Sequence, residues 1–243
     1  MTLPKSWNDI DVLEFKEITE LNSIQEVFTR EVEVLATLMG VPTSELEDYD
    51  ISEVSDLLAD IKFIKSEPSK AYKHVIDEFT FKPLSKLTVG EFIDIEYFVS
   101  MNQIANICQI AAILYRKTTI NEWGELVYEP YKFSPIERAH IFDDYCINDI
   151  YGIVPEYLSY RTTFMEQYRP LFQDDSDSQE DDSQPMSSQE AKEIQEEKSA
   201  IKWSWERLIY TICNEDLTKF DEVTNLSLVL TFNMLAMKKE LSI

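Results

Sequence analysis

The chain has 243 residues, of which 44% are hydrophobic and 12% aromatic, and this is enough to build one large domain or two small ones around a real core. Only four residues are glycine, which argues against β-sandwiches, β-barrels and Gly-rich nucleotide loops and favours helices. The net charge of −24 would repel phosphate backbones and anionic membranes, so we expect no nucleic-acid partner and no membrane partner.

The cysteines and the N-terminal segment indicate the cellular compartment of the protein. Cys108, Cys146 and Cys213 are odd in number and lie far apart in apolar stretches, as buried free thiols of a reducing compartment do. The first residues contain no apolar signal core, and the longest apolar runs are far shorter than the roughly 20 residues of a membrane-spanning helix. We expect a protein that stays in the cytoplasm where it is made.

Residues 1–66 are predicted to form an N-terminal helical unit, and residues 67–86 a short β-hairpin. Asp11 and Glu14 have the spacing of a capping box, and Gly40 followed by Pro42 marks the end of a later helix. From Tyr72 to Phe81 apolar and polar residues nearly alternate, which is typical of strands.

Residues 87–173 are predicted to form a second helical unit that resembles the first. Ile10–Ile18 and Leu87–Ile95 match at Val, Glu, Phe and Ile, and Thr88 with Glu91 repeats the capping box. Ile51–Val54 also resembles Ile147–Ile150. This pattern indicates a duplication, in which Phe15 and Phe92 would be equivalent buried residues, but matches this short also arise by chance in a helical chain rich in Leu, Ile and Glu.

Inside the second unit, apolar residues at helical spacing predict a helix around Gln103–Arg116. The loop from Lys117 to Phe133 contains Trp123 and Gly124, which could turn a short hairpin. Ser134 and Glu137 then form a further capping box, with Pro135 at the first helical position. Trp123 is a candidate contact residue of the loop.

Residues 174–190 are predicted to be a disordered acidic linker, because they include no aromatic or β-branched residue. Residues 191–243 are predicted to form a C-terminal helical hairpin on this tether. The fold class is therefore mainly α: two similar small helical units, a short β-hairpin between them and a tethered C-terminal helical pair.

The last helix, from Asn225 to Leu241, is apolar nearly all round and is either a core helix or a partner-binding helix. We expect one side, with Leu228, Phe232 and Leu235, to pack against Trp205, Leu208 and Ile212. The predicted partner-binding residues are Leu226, Val229, Leu230, Met234, Met237, Trp203 and Trp123.

Residues with catalytic or metal-binding chemistry are sparse. His74 and His140 are the two histidines, and Glu137 with His140 has the spacing of a di-iron half-site but lacks a second such pair. The acidic linker lacks the Gly and the terminal Glu of a calcium loop, and no phosphate-binding, dinucleotide, zinc or serine-hydrolase motif occurs. We expect no catalytic residues, no cofactor, no metal site and no enzymatic activity.

Four sequence segments resemble those of a group of bacteriophage proteins encoded with tail and virion genes. They are Ser6–Ile10 with the following Val12–Ile18 helix, Leu87–Ile95, Ala112–Arg116 and Asp216–Thr224. The resemblance implies a tail-assembly chaperone-like protein, which holds apolar helices of a tape-measure protein until the tail polymerises around it. It implies no catalytic residues.

The functional hypothesis is a soluble acidic clamp for apolar helices of a tape-measure or other tail protein, located in the host cytoplasm. Its Met-rich last helix would adapt to varied apolar surfaces, and its net charge would keep the complex dispersed. The alternative is a structural component of the virion, such as a ring, adaptor or tail subunit, whose last helix docks on a neighbour in a homo-oligomer. A third reading is an acidic inhibitor that mimics DNA.

Overall fold

The structure is a computed structural model that describes residues 3–172, 209–210, 212–213 and 215–241. It is mostly helical, with a small four-stranded antiparallel sheet in this described part. The chain divides into two compact units, each built from separate stretches: Met1–Lys82 with Phe98–Leu158 (unit 1), and Pro83–Tyr97 with Ser159–Ile243 (unit 2). This division differs from the successive boundaries predicted from the sequence. The predicted linker, 174–190, lies outside the described residues.

Unit 1 begins with a series of short helices. They are a 3-10 helix at Trp7–Asp9, α1 (Val12–Glu20), α2 (Val27–Met39), α3 (Thr43–Leu46) and α4 (Ile51–Asp60). Helix α1 begins at a capping box, in which the Glu14 backbone N–H donates to Asp11 over 2.8 Å and the Asp11 N–H donates to Glu14 over 3.2 Å. Helix α2 ends at Gly40, whose φ of 62° is in the left-handed region that glycine adopts without strain.

The sheet of unit 1 has the strand order β1-β2-β3-β4 and is antiparallel throughout its described strands. The strands are β1 (Val75–Ile76), β2 (Phe79–Phe81), β3 (Tyr115–Ile120) and β4 (Leu126–Tyr128). Helix α6 (Ile107–Leu114) runs directly into β3, although the sequence predicts helix as far as Arg116. The reason is long-range pairing, since Tyr115 pairs with Phe81 and Arg116 with Thr80.

The segment after β4 packs on the sheet through alternating arginine and aromatic side chains. The Arg116 guanidinium lies 4.7 Å from the Tyr131 ring centroid and 4.5 Å from that of Phe133. The Arg138 guanidinium lies 4.2 Å from the ring centroid of Phe133 and 5.0 Å from the ring centroid of Phe79. We call these five residues the arginine stack. Cation–π contacts of this kind gain strength when the cation is desolvated, and both arginines are buried.

Unit 1 also contains α7 (Pro135–Arg138), a 3-10 helix at Ala139–Phe142, α8 (Ile147–Ile150) and the first part of α9 (Ile153–Gln167). Helix α7 begins at Ser134, whose hydroxyl accepts from the Glu137 N–H, and has Pro at its first turn. The core of unit 1 is formed by buried side chains from its helices and its sheet, among them Trp7, Phe15, Leu35, Phe79, Ile110, Tyr115, Phe142 and Tyr157.

Unit 2 contains the first part of α5 (Val89–Asn102), the later part of α9, α10 (Arg169–Phe172), α11 (Phe220–Thr224) and α12 (Leu228–Glu240). Its core is aromatic: Phe164 lies 5.6 Å from Phe92 and 4.9 Å from Phe232, measured between ring centroids. Arg161 Nε donates to both carboxylate oxygens of Glu96, at 2.7 and 2.9 Å, and so satisfies a buried acid.

The two units contain the same backbone motif. In unit 1 the N-cap Asp11 forms an isolated antiparallel bridge with Cys146, the N-cap of α8, and in unit 2 Thr88 forms one with Ser227, the N-cap of α12. The hydrogen bonds that make the bridges are Val12 N to Tyr145 O and Ile147 N to Ile10 O in unit 1, and Val89 N to Leu226 O and Leu228 N to Leu87 O in unit 2. All four distances are 2.9 or 3.0 Å. This geometry relates Ile147 to Leu228, whereas the sequence comparison related it to Ile51.

Candidate interaction surfaces

One side of helix α12 packs against the rest of unit 2. Its N-cap Ser227 accepts from the Leu230 N–H, and the first helical residue, Leu228, donates its N–H to Leu87. Leu228, Thr231 and Phe232 are buried, and the Phe232 ring lies 5.3 Å from that of Tyr168. Because these contacts fix the orientation of α12, they also decide which residues face solvent.

The opposite side of α12 is apolar and exposed. Leu230, Met234, Met237 and Leu241 follow one another at spacings of four, three and four residues, and Leu226 is exposed just before the N-cap; we call these five residues the α12 stripe. Residues at these spacings lie on one side of a helix. Met234, for example, exposes 54% of its surface. A continuous exposed apolar row differs from the scattered single apolar residues of an ordinary surface.

The sequence-predicted partner residues divide into three groups. Leu226, Leu230, Met234 and Met237 lie together on the exposed α12 stripe, while Val229 is half-buried at its border. Trp203 lies outside the described residues. So do Trp205 and Leu208, and their packing on Leu228 and Phe232 stays a prediction. In the described part of unit 2, Phe232 contacts Phe164 and Tyr168.

Trp123 is remote in sequence from α12 and stands at the turn between β3 and β4, with 76% of its surface exposed. Asn121 holds the turn, because its side-chain oxygen accepts from the N–H groups of Trp123 and Glu125. Gly124 has a φ of 79°, which a residue with a Cβ adopts only with strain. The hairpin also exposes Ile120, Leu126 and Val127. The turn is therefore an ordered apolar projection of unit 1.

A third apolar surface, which the sequence does not indicate, lies between α2, α3 and α4. It is a groove of about 450 Å³. We call it the α2–α4 groove, and its apolar lining comprises Phe28, Val32, Leu46, Tyr49, Ile51 and Val54. Phe28 precedes the fully buried Leu35 by seven residues, so periodicity places it on the core side of α2. In the structure nothing among the described residues covers this first turn, and Phe28 remains 57% exposed.

A polar cluster is formed by Cys108, Lys16 and Asp143. Lys16 Nζ lies 2.9 Å from Asp143 Oδ1, and the Cys108 thiol donates to the same oxygen over 3.3 Å. Burial raises the pKa of Cys108 to about 12, so the thiol stays protonated at neutral pH. The cluster orders α1 against the segment before α8 and leaves the sulfur a poor nucleophile.

The histidines lie apart. His74 is exposed beside the rings of Tyr72 and Phe81, and the His140 ring nitrogen lies 2.6 Å from the Glu137 backbone oxygen. Among the residues that the structure describes, no group of three or more His, Cys, Asp or Glu side chains is arranged to hold a metal ion. Within the same ranges, none of the helices has the length and apolar character needed to cross a bilayer.

Comparisons with protein-family models, with curated proteins and with solved structures found no match to this chain.

Proposed function

We propose that the protein is a bacteriophage tail-assembly chaperone-like protein, which binds apolar helices of a tape-measure or other tail protein during virion assembly. The observation that carries this proposal is the α12 stripe. One side of α12 is fixed to its own unit, and the other offers exposed Leu and Met side chains along the length of the helix. An amphipathic partner helix can pack its apolar face on such a row, in the way that helices dock in apolar grooves.

The composition of the α12 stripe suits a chaperone. Met234 and Met237 have flexible, polarizable side chains that adapt to differently shaped apolar surfaces. A tape-measure protein would present many related but unequal helical segments, so an adaptable surface serves it better than a rigid pocket. The net charge of −24 would keep such complexes apart from one another in solution.

The sequence segments that resemble phage tail and virion proteins support common ancestry with those proteins; they do not bear on the binding of tape-measure helices. Trp7 is buried and donates its indole N–H to the Ser66 backbone oxygen over 3.0 Å, and the residues of Leu87–Ile95 that match the first helix are buried or form the cap. Positions of this kind preserve a fold. We also infer that the two units derive from one duplicated motif, which is supported by the equivalent bridges at Asp11 and Thr88.

The experiment is co-purification of the tagged full-length chain with the tape-measure protein of the same phage. The double variant Leu230→Glu/Met234→Glu places two charges in the α12 stripe and should abolish co-purification, because burying unpaired carboxylates is costly. The matched control is Leu13→Glu/Met101→Glu, which adds the same charge at two exposed apolar residues outside the stripe. If both double variants retain the tape-measure protein, the α12 stripe is not its binding surface.

A structural role in the virion, as a ring, adaptor or tail subunit, is the second candidate. The Trp123 turn favours it, since it gives unit 1 an exposed apolar contact surface in addition to the α12 stripe of unit 2. Mass spectrometry of purified particles separates the two functions. A chaperone should be absent from mature particles, whereas a subunit should be present in a fixed stoichiometry.

A further inference from the structure

The shape and the apolar lining of the α2–α4 groove suit the binding of a helix. Leu46 and Val54 are buried and form its floor, while Phe28, Tyr49 and Ile51 stand exposed around it. Ile51, at the first position of α4, exposes 87% of its surface. The groove volume of about 450 Å³ lies within the range of ordinary ligand sites and accommodates several apolar side chains.

The charge around this groove is strongly acidic. Residues 26–60 carry ten acidic side chains and one basic side chain, Arg30, so their net charge is −9. Two of the acids, Glu33 and Glu47, line the groove itself. Among the described residues neither forms an ion pair, and Glu33 is held in place by the Thr43 hydroxyl, which donates to it over 2.6 Å. An apolar floor between two carboxylates, one of them held in place, favours a ligand that is apolar on one side and basic at its margins.

We propose that the α2–α4 groove binds a basic amphipathic helix of another protein, whose apolar residues enter between Phe28 and Ile51 and whose Lys or Arg side chains meet Glu33 and Glu47. A second copy of this chain is a poor occupant, because each copy brings a net charge of −24. The groove is in unit 1 and the α12 stripe in unit 2, so this interaction is independent of the proposed tape-measure binding.

The test uses the full-length chain and a synthetic amidated peptide of about 18 residues, with leucines at helical spacing on one side and lysines on the other. A peptide with the same leucines and with glutamates in place of the lysines is the charge control. A third peptide with the lysine version in scrambled order removes the amphipathic pattern. Binding is measured by isothermal titration calorimetry, with circular dichroism to verify that each protein variant is folded.

The decisive protein variant is Phe28→Ser/Ile51→Ser, which removes two exposed apolar side chains and leaves the net charge unchanged. We expect it to weaken binding of the lysine peptide about tenfold or more, since apolar side chains at the centre of an interface carry most of its affinity. The matched control, Leu13→Ser/Met101→Ser, makes the same kind of change at two exposed apolar residues outside both the groove and the α12 stripe and should leave binding unaltered.

The charge variant is Glu33→Gln/Glu47→Gln, which keeps an acceptor for Thr43. It should weaken binding about threefold to tenfold and reduce the loss of affinity between about 50 and 300 mM salt. The proposal is overturned if the glutamate or scrambled peptide binds as tightly as the lysine peptide, or if Phe28→Ser/Ile51→Ser binds like the parent. It is overturned equally if the parent sediments as a dimer that this variant dissociates, because a second copy would then occupy the groove.

Discussion

Asp11 and Thr88 occupy the same place in the two units of the molecule. Each is the residue before the first turn of a helix, each exchanges hydrogen bonds with a glutamate three residues later, and each pairs in an antiparallel bridge with the N-cap of a distant helix. The bridge brings two helix N-termini side by side. Both units are therefore closed by a contact between residues far apart in the sequence.

The aromatic residue four positions after each of these caps should contribute strongly to stability. Phe15 packs edge-on against Trp7 and Tyr151, and Phe92 lies fully buried beside Phe164. We expect Phe15→Ala and Phe92→Ala each to lower the free energy of unfolding by about 3–5 kcal/mol, because each leaves a cavity in a packed core. Chemical denaturation measures the loss. Leu13→Ala, at an exposed position of α1, is the control and should cost far less.

The contribution of the two caps to stability can be tested with pairs of variants, one that removes the side-chain acceptor and one that keeps it. Asp11→Ala and Thr88→Ala should each cost about 1 kcal/mol, because each leaves a helix-terminal N–H without its side-chain acceptor. Asp11→Asn and Thr88→Ser retain an acceptor oxygen and should recover most of that loss. Equal stability of the Ala variants and their conservative counterparts would show that the caps do not contribute.

Local sequence patterns predict the helix starts and the predominance of helix, because a capping box or a Ser-Pro start acts within a few residues. They do not predict long-range contacts. Periodicity extends α6 to Arg116, but pairing with Thr80 makes that residue part of a strand. The exposed side of α12 could be anticipated, since a terminal helix that is apolar all round has more apolar surface than one body can cover.

The arginine stack should hold the segment after β4 through stacking as well as charge. Arg138 Nη1 lies 2.7 Å from Glu129 Oε2, while its guanidinium plane covers Phe133 and Phe79. We expect Arg138→Ala to lower the free energy of unfolding by about 2 kcal/mol, from the loss of desolvated cation–π contacts and of a charged hydrogen bond. Arg138→Lys keeps the charge but has no planar group to stack, so it should recover only part of this loss.

Hydrogen exchange of the amides in β3 and β4 gives the second measurement on Arg138. If the stack holds this part of unit 1, Arg138→Ala should increase exchange there more than in α1. A uniform increase across unit 1 would mean that the side chain contributes only to global stability.

The Cys108 thiol should make stability depend on pH in the alkaline range. In the folded chain burial raises its pKa to about 12, whereas an exposed thiol has its ordinary value near 9. Between these values the unfolded chain loses the proton and the folded chain keeps it, so the stability that this group contributes is present below about pH 9 and is lost as pH rises towards 12.

The measurement compares the parent with Cys108→Ala at pH 8 and pH 10, by urea denaturation under reducing conditions. At pH 10, one unit above the ordinary thiol pKa, the parent should have lost about 1 kcal/mol more than the variant. Tyrosines and lysines that do not contact Cys108 titrate alike in parent and variant and cancel from the difference. The thiol should also resist alkylation at pH 8 until the chain is unfolded, because only the thiolate reacts. Rapid alkylation of Cys108 in the folded protein, or an equal alkaline loss in parent and variant, would contradict a buried and protonated thiol.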